Sequence, residues 1–166
     1  MTNVTPVFIP GLLCTEWLFH GQADIASGAA VFADTRKHNT ITGMAEAALT
    51  QTSGQLVPIG LSMGGYVALE MARLAPARIS AIALFSTNCH QDSDAQRAYR
   101  EQAIKLAHTA GFRGVTRQLL GKFLSPQALA DTNIVDGVLA MAADIGRVTF
   151  ARQQHAILGR RAQHDT

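Results

Sequence analysis

The chain has 166 residues and a mass of 17.7 kDa, one domain's worth of sequence and enough to bury a core. Hydrophobic residues make up 48% and charged residues only 16%, which excludes intrinsic disorder and argues for a well-buried α/β protein. The net charge of +2 comes from scattered Arg and Lys, with no run of them longer than a pair such as Arg160-Arg161, so no nucleic-acid partner is expected.

Met1 to Thr5 lacks a charged leader region, and no apolar run nears the ~20 residues that cross a bilayer. A cytoplasmic location without a membrane partner is the expectation. Val4 to Ile9 reads as a first strand, ended by Pro10-Gly11, and Thr15 to Ser27 as a helix. Val31 to Asp34 is a second strand, closed by the polar turn Thr35 to Asn39, with Asp34 a turn cap beside Arg36. A helix over Thr40 to Thr52 and a third strand over Gln55 to Ile59 follow. Met63 to Leu74 reads as a helix with Val67, Met71 and Leu74 at i, i+4 and i+7, and Pro76 stands past its end as a stop signal. Ile79 to Phe85 is a fourth strand. Alternation of this kind predicts a parallel sheet of about four strands with crossover helices, buried on both faces.

Beyond Ser93 only helical signals remain: Ala95 to Thr109, broken at Gly111, then Val115 to Leu124, ended by Ser125-Pro126. Asn133 to Ile145 and Val148 to Leu158 follow, punctuated by Gly146 and Gly159, and residues 160–166 read as a polar, frayed tail. The two cysteines, Cys14 and Cys89, have no metal-ligand spacing, and neither a metal nor a cofactor is expected.

The chemistry gathers at Gly60-Leu61-Ser62-Met63-Gly64-Gly65. A G-x-S-x-G between a strand and a helix describes a nucleophile elbow, which exposes the serine hydroxyl at the end of a sheet. Gly60, Gly64 and Gly65 allow a strained turn and a close pass of helix over strand. An ordinary Gly-rich turn with a buried, hydrogen-bonded serine is the alternative. Such a serine needs a base and oxyanion donors. The N–H of Met63 is one candidate donor; Gly11, in the loop after the first strand, offers the N–H of Leu12, or of Leu13, as the second. A nucleotide-binding reading finds no G-x-G-x-x-G after the first strand and no P-loop motif.

Val7 to Cys14, then Trp17 and Gln22, Ala33 to His38, and Gly60 to Glu70 resemble an α/β-hydrolase of the small esterase and acyl-hydrolase branch. The resemblance implies an incomplete α/β-hydrolase core over 1–92, a helical cap over 93–159 and a tail over 160–166. It implies a serine hydrolase acting on a small ester, thioester or related acyl compound. The catalytic acid and histidine of that fold follow two strands beyond the cap, which this sequence does not contain. The expectation is therefore a truncated chain, weak or inactive alone. His20, His38, His90, His108, His155 and His164 each read as solvated or core residues. Ile79 to Phe85 would be left as an exposed apolar edge, inviting association with a second copy. The alternative function is a triad-deficient protein that binds an acyl ligand or a partner without turnover.

Overall fold

The apolar runs become strands β1 (Val4–Ile9), β2 (Val31–Phe32), β3 (Gln55–Leu61) and β4 (Ala83–Phe85) in the computed structural model, which describes residues 4–26, 30–109 and 112–164. All pair in parallel, in the order β2-β1-β3-β4. Helices α1 (Ile41–Thr50) and α2 (Met63–Leu74) cross between strands; α3 (Asp94–Ala107), α4 (Pro126–Ala130) and α5 (Thr132–Leu158) form the helical part. Because β1 is followed by a strand on one side and β3 lies on the other, the strand order reverses between β1 and β3. The crevice at the carboxyl ends of those two strands is where open α/β sheets bind ligands.

Strand alternation sorts the core. Val7, Ile9 and Leu56 face α1, α2 and the end of α5, meeting Met44, Ala45, Val67, Met71, Ala156 and Ile157. Phe8 faces the other way, against Phe19 at 4.9 Å and Phe32 at 5.4 Å between ring centroids. That second face is only partly covered: Val57 and Ile59 remain half-buried, against the expectation of a sheet buried on both sides. A smaller cluster of Ile104, Ala107, Phe150 and Ala151 joins α3 to α5 and packs on Leu12 and Leu13, seating the helical part over the loop after β1.

Several elements differ from expectation. The fourth strand is short, and Ile79 makes only an isolated bridge to Leu56; Leu84 and Phe85 are exposed at the sheet edge. Residues Glu16–Ala26 form 3₁₀ turns rather than an α-helix, consistent with Gly21 in mid-segment, which weakens an α-helix by about 1 kcal/mol relative to Ala. Ser27 and Gly111 lie outside the described residues. The expected helix over Val115 to Leu124 is a 3₁₀ segment, Arg117–Lys122. Ser125-Pro126 starts a helix instead of ending one: Ser125 Oγ accepts from Ala128 N at 3.2 Å, with Pro126 in the first turn. The last two expected helices merge into α5, broken at Gly146, whose φ of 65° suits glycine. Finally, residues 160–164 are not frayed. Arg160 and Gln163 are buried, and Gln163 N donates to Cys89 O at 2.8 Å. Among the described residues no helix is long and apolar enough to cross a membrane.

Candidate active site

Ser62 stands between the last residue of β3 and the first of α2, with φ 53° and ψ −113°. That backbone is strained for a residue with a side chain, by about 1–3 kcal/mol. It is fixed from three sides: Ser62 N donates to Phe85 O at 2.8 Å, and Ser62 O accepts from Gly65 N and from Thr87 Oγ1, each at 2.9 Å. A serine ahead of a helix ordinarily caps it with its hydroxyl. Here the side chain makes no cap bond, and Ser62 Oγ has no hydrogen-bond partner among the described residues. Leu13 (φ 61°) and Ser86 (φ 48°) are the other non-glycine residues with left-handed φ among those described. They follow β1 and β4, so the strain collects along one edge of the sheet.

The glycines are required by contact. A Cβ on Gly64 would lie 2.0 Å from Ile9 O, and one on Gly60 would lie 2.3 Å from Gly64 O. A Cβ on Gly65 would strike Thr87 at 2.5 Å. Gly11 faces the elbow itself, its Cβ direction lying 3.2 Å from Leu61 O and 3.6 Å from Ser62 Cβ. The loop after β1 and the elbow after β3 are thus in contact. Met63 N–H is the first of α2 and has no intrahelical acceptor. Leu13 N–H is occupied, donating to Gln153 Oε1 at 3.2 Å. Of the two N–H groups that Gly11 offers, Leu12 is therefore the one left unspent among the described contacts.

Gln153 escaped the sequence reading. It lies on α5, fully buried, and its Nε2 also donates to Thr35 Oγ1 at 3.2 Å. One amide so joins the helical part to the loops after β1 and β2, at sequence separations of 140 and 118 residues that no local pattern marks. Asp34 behaves as the expected turn cap: its Oδ1 accepts from Arg36 N at 3.0 Å and Arg36 Nε at 2.8 Å. Burial pushes the Asp34 carboxyl up, but the hydrogen bonds and charge of Arg36, with Lys37, outweigh it and hold the group low.

A cavity of about 580 Å³ lies beside the loops after β1 and β2, lined by Pro10, Cys14, Trp17, Thr35, Arg36 and Asp144 among others. Ser62 is not part of that lining, so the cavity adjoins the loop after β1 and not the hydroxyl. Burial pushes the Cys14 thiol up to about 11, only partly offset by a backbone hydrogen bond at Gly11. A neutral thiol is a poor nucleophile, so Cys14 does not compete with Ser62 at neutral pH. None of the described histidines hydrogen-bonds Ser62 Oγ. His20 pairs with Trp17 O, and His164 with Cys89.

No protein-family model and no curated sequence matches the chain. Solved structures do. A thermophilic esterase from Thermogutta terrifontis superposes with a TM-score of 0.73 at 19% identity, over 99% of this chain and 66% of that one. A hydrolase from Pseudomonas aeruginosa PA01 gives 0.77 at 18% identity, over 95% and 65%. The enol-lactonase from Burkholderia xenovorans LB400 gives 0.77 at 18%, over 98% and 67%. The chain spans about two-thirds of the length of these structures. With its parallel sheet, crossover helices and strand–turn–helix at Ser62, the chain has a partial α/β-hydrolase fold.

Proposed function

We propose that the chain carries the nucleophile and oxyanion half of a serine hydrolase acting on a small ester, thioester or related acyl compound. The observation that carries this reading is the hydroxyl of Ser62, held on a strained strand-to-helix turn and spent on no capping bond. Ser62 Oγ attacks the acyl carbon, the carbonyl electron pair moves onto oxygen, and the hydroxyl proton passes to solvent water, which returns one to the departing alcohol or thiol. The N–H groups of Met63 and Leu12 receive that oxyanion; each such donor is worth about 10²–10³ in turnover. Collapse expels the alcohol or thiol, and water releases the acid. The structural neighbours named an esterase and an enol-lactonase support an acyl substrate. With no histidine bonded to Ser62 among the described residues, the oxyanion donors and binding supply about 10³–10⁴ over water, the residue left when a triad is incomplete.

The test is labelling of the purified chain with a fluorophosphonate, beside hydrolysis of an activated acetyl ester. Slow modification of one site, Ser62, is expected, with both signals lost in Ser62→Ala. Labelling that persists in Ser62→Ala, or none at all in a folded sample, would overturn the reading.

A further inference from the structure

Cys89, His90 and His164 share no motif in the sequence, because Cys89 and His164 lie 75 residues apart. The fold brings them together. One donor atom from each lies within 4.8 Å of the other two. Cys89 Sγ is 3.4 Å from His164 Nδ1, and the rings of His90 and His164 are 4.8 Å apart at 56°. In a tetrahedral Zn²⁺ site, with Zn–S near 2.3 Å and Zn–N near 2.0 Å, sulfur and nitrogen ligands stand about 3.5 Å apart. Cys89 Sγ and His164 Nδ1 already stand at that separation, and binding calls on the exposed His90 ring to close in from within 4.8 Å.

Bonds that do not involve the three donor groups hold the two segments in place. Gln163 N donates to Cys89 O at 2.8 Å, Arg160 Nε to His90 O at 3.0 Å, and Gln163 Nε2 to Glu70 Oε2 at 2.6 Å. The neighbouring cation does not oppose a metal. Arg160 is paired with Asp92 at 2.9 Å and stacked over Tyr66 at 4.2 Å. Cys89 is half-buried and both histidines are exposed, so an ion reaches them from solvent.

We propose that Cys89 Sγ, a ring nitrogen of His90 and His164 Nδ1 bind one Zn²⁺-class ion, with water in the fourth position. A thiolate with two imidazoles selects Zn²⁺ and its soft neighbours over Mg²⁺ or Ca²⁺. Binding releases the thiol proton to solvent, while the imidazoles bind neutral. The ion clasps residues 160–164 onto the loop after β4, two residues beyond the Thr87 that holds Ser62 O.

Titration of the full chain with Zn²⁺ against a competing chromogenic chelator, repeated with Co²⁺, tests this. One ion per chain is expected, with a thiolate-to-cobalt charge-transfer band. Cys89→Ser should abolish the band. Cys89→Ser and His164→Ala should each weaken binding by more than the ~10–100-fold that even an outer-sphere partner costs. His108→Ala, an exposed histidine elsewhere, should bind as the parent does. Zn²⁺ should raise the melting temperature of the parent and of His108→Ala only. No saturable binding, or binding undiminished in both Cys89→Ser and His164→Ala, overturns the proposal. If Cys89→Ser fails to fold by circular dichroism, the exposed ring removed in His164→Ala carries the test alone.

Discussion

Ser62 and the glycines around it show how little freedom the elbow has. The letters Gly-x-Ser-x-Gly were legible in the sequence, and so was the need for close approach, because a glycine on both sides of a strand-to-helix turn has few other uses. The structure adds which backbone each glycine meets. A methyl on Gly64 collides with Ile9 O, a carbonyl in the sheet that cannot move aside. Gly64→Ala should therefore destabilise by at least about 1–3 kcal/mol, the range for overpacking a filled site. Gly21→Ala, where the added atom meets nothing within 4 Å, should be neutral or slightly stabilising. Urea unfolding midpoints of the two variants check this, and equal midpoints would refute the steric account. Gln153 is the opposite case. Its partners Leu13 and Thr35 are distant in sequence, and a glutamine in an amphipathic helix gives no sign of being buried. Gln153→Ala should cost about 1–3 kcal/mol through the Leu13 N–H and Thr35 hydroxyl left without partners.

At the scale of elements, the strands and crossover helices were legible because their apolar runs are bounded by Gly, Pro and polar turns. The helical part was less so. There α3 and α5 lie close to expectation, but the segments between them, Arg117–Lys122 and Pro126–Ala130, are short and only partly apolar, and what fixes them is contact across the chain. The same holds for residues Glu16–Ala26, between β1 and β2. Trp17 packs flat over His20 at 4.2 Å and also fills the space beside Gly137 of α5. A Cβ on Gly137 would lie 1.9 Å from the Trp17 ring. A glycine inside a helix normally reads as a weakness of about 1 kcal/mol; here it is the socket for an indole. Gly137→Ala, which raises intrinsic helix propensity, should nonetheless destabilise the chain and displace the ring. Trp17 is the single tryptophan, so its fluorescence reports the site. The expected result is a red-shifted emission and a lower melting temperature. Unchanged emission with a higher melting temperature would mean that helix propensity decides at this position.

Across the whole molecule, two buried carboxylates tie the C-terminal segment to everything else. Asp92 follows the loop after β4, and its side chain is 1% exposed. It accepts from Arg100 Nε at 2.7 Å, and its other oxygen lies 2.9 Å from Arg160 Nη2 as an ion pair without a directed hydrogen bond. Glu70 of α2, equally buried, accepts from Thr42, Arg73 and Gln163. Burial pushes the Asp92 carboxyl up, but the guanidinium groups of Arg160 and Arg100 beside it outweigh burial and hold the group low. The hydrogen bond from Arg73 leads in lowering Glu70, against burial, with Thr42 and Gln163 adding to it. Both folded-state values thus lie below those of the unfolded chain, about 3.9 for Asp and 4.3 for Glu. The unfolded state binds these protons first, so the contribution is complete above about pH 5 and is lost as pH falls through the folded values. Asp92→Asn should cost about 3–5 kcal/mol at pH 7, because Arg160 and Arg100 then lose their buried counter-charge. As pH falls toward 3 the parent loses the same interaction, and the stability difference between parent and variant should shrink. Melting temperatures of both proteins between pH 7 and 3 measure it. A difference that stays constant across that range would show that Asp92 acts through packing and not through its charge.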